Sequence, residues 1–135
     1  GEGSMAELLR KPLLPEYCEG EIHDFLLELI RKEVKNIPEE TKCRRREICE
    51  ALLSVNHEIG VRAALRNEAC TVLKGWNAQE SQIAALEKLG FGVTKGRKHY
   101  KLRRDNSAFF TSVSATPSDK RAGANLTAEF VKLFF

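Results

Sequence analysis

The sequence predicts an α+β fold, with an N-terminal helical segment followed by an α-β-β-β-α module built on an antiparallel three-stranded sheet. Three observations predict it. Apolar residues recur at three-and-four spacing from residue 21 to residue 89, the repeat of helices with one buried face. From residue 91 to residue 114 the repeat shortens to two, the period of a strand. After Pro117, the positions of Leu126, Phe130, Leu133 and Phe134 restore helical spacing.

Each element has its own signal. Ile22, Phe25, Leu26, Leu29 and Ile30 share one side of a helix over residues 21–35. Pro38, Glu39 and Glu40 suit the first turn of a second helix, whose stripe runs through Ile48, Leu52 and Leu53 to Val55 and ends near Asn56. Gly60 and Gly75 bracket a third, with Ala64, Leu65, Ala69, Val72 and Leu73 on its apolar side. Asn77 followed by Glu80 resembles a capping box, Ile83, Leu86 and Leu89 point one way, and Gly90 stops this fourth helix. Phe91 and Val93 open a first strand, a turn falls around residues 95–97, and Tyr100 and Leu102 alternate with Lys101 and Arg103 in a second. Asp105, Asn106 and Ser107 supply a turn, and residues 108–114 make a third strand. Ser118 or Asp119 can cap the closing helix. Trp76 reads as a core or staple residue.

The organisation predicted is a cloning remnant at residues 1–4 before Met5, a helical region of about three helices over residues 5–75, and the α-β-β-β-α module over residues 76–135. The two parts are expected to pack together, because each alone lies near the small-size limit for a core. The 135 residues are 42% hydrophobic and 30% charged, an ordinary globular composition. The longest apolar runs fall far short of the roughly 20 residues that cross a bilayer, and no charged-then-apolar leader opens the chain, so no membrane partner and a cytoplasmic location are expected. Cys18, Cys43, Cys49 and Cys70 never approach a Cys-x-x-Cys spacing. Reduced, mostly buried thiols are expected, with no metal and no cofactor.

Charge is divided unevenly. Residues 5–75 carry 12 Lys and Arg against 13 Asp and Glu, a balance of −1, whereas residues 76–135 carry 10 against 5, a balance of +5. A basic half is an electrostatic footprint suited to a polyanion. Lys95, Arg97 and Lys98 cluster in the predicted hairpin turn. If Tyr100 and Leu102 face the core, His99, Lys101 and Arg103 share the solvated side of the second strand. Lys120 and Arg121 stand at the start of the closing helix, where two cations oppose the helix dipole unless an anion docks there or the side chains turn to water. Arg44, Arg45 and Arg46 read as a solvated helix face paired with Glu39, Glu40, Glu47 and Glu50.

The order helix, strand, strand, strand, helix resembles the double-stranded-RNA-binding-domain (dsRBD) fold, and within it the HicA-type toxins, small ribonucleases of toxin–antitoxin pairs. The residues that carry the resemblance are Leu86 to Phe91 (LEKLGF), the run Gly96-Arg97-Lys98-His99-Tyr100-Lys101-Leu102, and the closing helix after Pro117. HicA sequences step through Gly-Ser-His where this chain has Gly-Arg-Lys-His, one residue longer. The resemblance implies that His99 occupies the place of a catalytic histidine, and that Lys120 and Arg121 match, in shortened form, the lysine cluster with which such domains meet phosphates. An imidazole flanked by cations could take the proton of a ribose 2′-hydroxyl while they hold the adjacent phosphate; a polar residue on a wet strand is the plainer reading.

Three functions are therefore expected. The first is a nucleic-acid-binding module, RNA foremost, using Lys95, Arg97, Lys98, Lys101, Arg103, Lys120 and Arg121 on the phosphate backbone. The second is a HicA-like ribonuclease with His99 as general base. The third is a protein-interaction adaptor that docks a partner, or a second copy, through the helical half.

Overall fold

The computed structural model describes residues 7–114 and 120–135, with side chains in the latter stretch from residue 124 onward. Its order is α1 (Glu21–Asn36), α2 (Arg44–Val55), α3 (Val61–Lys74), α4 (Glu80–Lys88), β1 (Phe91–Lys95), β2 (His99–Arg104), β3 (Phe110–Ser114) and α5 (Lys120–Phe134). The fold class is the one predicted, a helical segment followed by an α-β-β-β-α arrangement with an antiparallel sheet of order β1-β2-β3. Among the described residues no helix is long and apolar enough to cross a membrane.

The core lies between one face of the sheet and helices α3, α4 and α5. Phe91, Tyr100, Leu102 and Val113 enter it from the sheet, Leu86 from α4, and Phe130 and Phe134 from α5. α3 contributes Ala69 and Leu73, so the helical segment shares this core with the module. Phe91 and Phe130 lie with ring centroids 4.9 Å apart, in the tilted geometry aromatic pairs favour. Trp76, the only tryptophan, is buried edge-on to Tyr100 and donates its indole N–H to the Ser114 carbonyl at 3.1 Å. Its core assignment holds.

Strand alternation continues one residue further than the apolar pattern suggests. Along β2 the side chains of His99, Lys101 and Arg103 are exposed while Tyr100, Leu102 and Arg104 are buried. Arg104, only 3% exposed, donates from Nη1 to the Phe134 carbonyl at 2.7 Å and approaches Glu21 Oε2 at 3.4 Å. Its guanidinium lies over the rings of Tyr17, Phe91 and Phe135. Burial lowers the Arg104 pKa from the ordinary arginine value, and the Glu21 charge opposes that shift. Arg62, equally buried, donates to the Phe135 carbonyl and pairs with Glu28 at 2.9 Å. Both arginines satisfy carbonyls at the C-terminal end of α5, where cations are favoured by the helix dipole.

Several boundaries and faces differ from expectation. α2 begins at Arg44, not near Pro38, because residues 37–41 form a turn instead. Thr41 N–H donates to the Pro38 carbonyl, and the Arg46 guanidinium holds the carbonyls of Ile37, Pro38 and Thr41. On α2, Cys49 is the buried residue, whereas Ile48 and Val55 are exposed. On α1, Phe25 and Leu29 are exposed, and Asp24 and Leu27 are buried. Beside Leu27, the inward side of α1 is set by polar contacts: Asp24 accepts from the backbone of Ile59 and Gly60, and Glu28 pairs with Arg62 and Arg66. The N-terminus of α4 is organised two residues later than predicted. Its N-cap is Gln79, and Gln82 Oε1 accepts from the backbone of Asn77 and Gln79 while Nε2 donates to the Gly75 carbonyl. β3 starts at Phe110, since Ser107 Oγ accepts from Phe109 N–H and holds the chain in a turn. The four cysteines are free, and only Cys49 is buried. The capping role of Ser118 or Asp119 lies outside the described residues.

Two stability predictions follow from this packing. Arg104→Ala leaves a buried carbonyl and Glu21 without their cation, and costs about 3–5 kcal/mol in urea unfolding. Arg103→Ala, one residue away on the wet side, costs less than about 1 kcal/mol; equal losses would contradict the alternation. At Asp24, burial pushes the carboxyl pKa up, but hydrogen bonds from Gly60, Ile59 and His23 outweigh it and hold the pKa below the ordinary aspartate value. A depressed carboxyl contributes its full stability above the unfolded-state value and loses it as pH falls through the lower folded value. The stability curve of the wild type is therefore expected to drop at that acid end. Asp24→Ala removes the buried carboxylate that accepts from two backbone N–H groups, costs about 1–3 kcal/mol at neutral pH, and makes the acid limb shallower.

Candidate nucleic-acid interface

The β1–β2 hairpin brings the predicted cations together because its turn is tight. Lys95 pairs with Tyr100 across the strands, and Gly96 N–H donates to the His99 carbonyl at 2.8 Å. A Cβ at Gly96 would stand 2.7 Å from that same carbonyl oxygen, so a side chain there would force the turn open. Arg97 and Lys98 form the tip. Around it lies an open cavity of about 510 Å³ lined by Thr94, Lys95, Gly96, Arg97, Lys98, His99, Lys101 and Ser112. Among the described residues its lining contains no carboxylate.

Register extends this site along the sheet. His99 is opposite Ser114, Lys101 opposite Thr94 and Ser112, and Arg103 opposite Gly92 and Phe110. Directly opposed residues project to the same side. The side away from the helices therefore presents His99, Lys101 and Arg103 in one row, flanked by small hydroxylated residues and Phe110. The row is open to solvent, and the N-terminal helices do not cover His99. Lys95 differs: its pairing with Tyr100 starts it from the helical side of the sheet, and it reaches the cavity from the end of β1.

The arginines of the helical half and the cations of the hairpin differ in their partners. Every arginine from Arg10 to Arg66 has a carboxylate within 4 Å: Glu7, Glu58, Glu47, Glu33, Glu50 and Glu28 serve seven of them. The Arg44–Arg46 run is thus a paired helix face as expected, with Glu33 of α1 taking the place foreseen for Glu39 and Glu40. Among the described residues, by contrast, Lys95, Arg97, Lys98, Lys101 and Arg103 have no salt bridge. What Lys101 and Arg103 contact is the Phe110 ring, at 4.8 Å and 5.4 Å from its centroid. Such exposed cation–π contacts are worth about 0.5–1 kcal/mol. They hold the two side chains without neutralising them.

Thr94, Ser112 and Phe110 were not among the residues singled out from the sequence. The turn at residues 105–107 hides the register, and register decides which β3 residues stand beside the basic row. Lys120 and Arg121 open α5 as predicted, but their side chains lie outside the described residues. A second cavity, of about 550 Å³, lies between the N-terminal segment, α1 and the β2–β3 turn and is lined by Leu14, Tyr17, Phe25 and Phe109 among others. Its charged members Glu16, Glu21 and Arg62 are engaged with Lys11 and the Ile22 amide, with Arg104, and with Glu28. No group of three or more histidine, cysteine or acidic side chains suited to a metal ion occurs among the described residues. Compared with protein-family models, with curated proteins and with solved structures, the chain has no match.

Proposed function

We propose that the chain binds nucleic acid, RNA foremost, by its phosphate backbone. One observation carries this reading: Lys95, Arg97, Lys98 and Lys101 converge with His99 on one open cavity with no carboxylate among its described lining residues, in a protein whose other half matches each described arginine with an acid. Unneutralised cations that share a concave surface attract a polyanion and release its counterions on binding. Arg103 extends the surface along β2, and Lys120 and Arg121 at the start of α5 are further proposed contacts. Binding through phosphates is independent of sequence and weakens as salt rises.

The measurement is a fluorescence-anisotropy titration of a labelled RNA at several salt concentrations. The seven proposed phosphate contacts predict a slope of log K against log salt of about −5 on single-stranded RNA, and the triple variant Lys95→Ala, Arg97→Ala, Lys98→Ala is expected to bind more weakly with the slope reduced in size by about 2. Lys120→Ala with Arg121→Ala is expected to weaken binding as well. No binding at low salt, or a slope untouched by the triple variant, refutes the proposal.

A second reading, the HicA-like ribonuclease, is favoured by the position of His99 inside the same cavity as the cations. There the imidazole would accept the 2′-hydroxyl proton as that oxygen attacks the neighbouring phosphorus, and the bond to the 5′-oxygen breaks with a proton returned to it. The expected outcome is cleavage of RNA to fragments ending in a cyclic phosphate, reduced about 100- to 10,000-fold in a folded His99→Ala variant. Cleavage that survives the substitution belongs to a contaminant.

A further inference from the structure

The structure assigns Phe110 a role beside the basic row: we propose that the open sheet face binds single-stranded nucleic acid, with one unpaired base stacked on the Phe110 ring. This deepens the phosphate-binding reading and rests on it. Phe110 is 44% exposed, although its strand turns Val113 fully inward. It stands directly across from Arg103, and the charged ends of Lys101 and Arg103 hang over its ring. Beside it, Gly92, Thr94 and Ser112 are small, so Lys101 and Arg103 are the long side chains that the register sets beside the ring among the described residues, and they leave it 44% exposed. Same-side residues on a strand are spaced by about 6.7 Å, and His99, Lys101 and Arg103 therefore run for about 13 Å from the hairpin cavity to the ring. A strand lying along that row would meet cations at one end and an aromatic surface at the other.

The choice between single strand and duplex follows from what an exposed ring can use. In a duplex the base faces are buried in the stack and only phosphates, sugars and groove edges are presented, so a phenyl side chain gains nothing from it. An unpaired base offers its π face, and Lys101 and Arg103 can neutralise the phosphates on either side of the stacked nucleotide. A purely structural role, Phe110 packing under two cations to support the β2–β3 pair, accounts for the same contacts but makes no demand on the presence of a base.

The test compares the full chain with a mixed-sequence 12-nucleotide RNA, the blunt duplex of the same sequence, and a 12-unit abasic strand that keeps the phosphates. Expected are tighter binding of the single strand than of the duplex, and weaker binding of the abasic strand. Phe110→Ala should lower affinity for the base-bearing strand about 5- to 150-fold, leave duplex and abasic binding unchanged, and be rescued by Phe110→Trp. If Phe110→Ala fails to fold by circular dichroism, Phe110→Leu keeps the apolar bulk without the π face and is expected to show the same base-dependent loss. Equal affinity for the abasic and base-bearing strands, or equal loss on the duplex, overturns the stacking role while phosphate binding stands. Binding to none of the three overturns both.

Discussion

The guanidinium of Arg104 is the interaction on which the rest of the architecture depends. It comes from the central strand, enters the core face, accepts the stacking of three aromatic rings, and donates to the last turn of α5. Through Glu21 it also reaches the first turn of α1. One side chain thus ties the sheet, the closing helix and the helical segment at a single point. A charge so deeply buried is costly unless its hydrogen bonds are met, and among the described residues no buried side-chain polar atom lacks a partner. Arg62 repeats the device from α3, so α5 is held at its C-terminal end by two cations from two different elements.

This division of labour explains why the sheet has one free face. With α3, α4 and α5 gathered on the core side, no helix remains to cover His99, Lys101 and Arg103. α1 packs on α2 and on α3, with Arg45–Glu33 bridging the first pair and Glu28 to Arg62 and Arg66 the second. Individually such surface pairs contribute little stability, but collectively they engage every arginine from Arg10 to Arg66. Among the described residues, five cations without a salt bridge, Lys95, Arg97, Lys98, Lys101 and Arg103, gather at the hairpin and along β2, where the tight turn at Gly96 sets the direction of the tip.

Much of the fold was legible in the chain because local and tertiary preferences agree. Gly90 takes a positive φ just past the end of α4, and the change of period at Phe91 marks the onset of the sheet. The alternation of Tyr100 and Leu102 with Lys101 and Arg103 placed the basic row on the wet side correctly. Where reading failed, polar contacts between distant residues had overruled apolar periodicity. The inward side of α1 is written in Asp24 and Glu28, whose partners Ile59 and Arg62 are distant in sequence, so a search for apolar stripes selected Phe25 and Leu29 instead. Pro38, Glu39 and Glu40 look like a helix start, yet Arg46 captures the carbonyls that a helix would have used. Arg103 and Arg104 are chemically identical neighbours, and only the parity of the strand separates a surface cation from a core one. Phe110 needed the β2–β3 register, which no local pattern supplies.

The bond from the Trp76 indole to the Ser114 carbonyl joins the solitary tryptophan to the residue that faces His99 across the sheet. Its fluorescence is consequently a native optical probe seated directly behind the basic row. Changes in emission on titration with an oligonucleotide would register occupancy of that face without a dye attached to the protein.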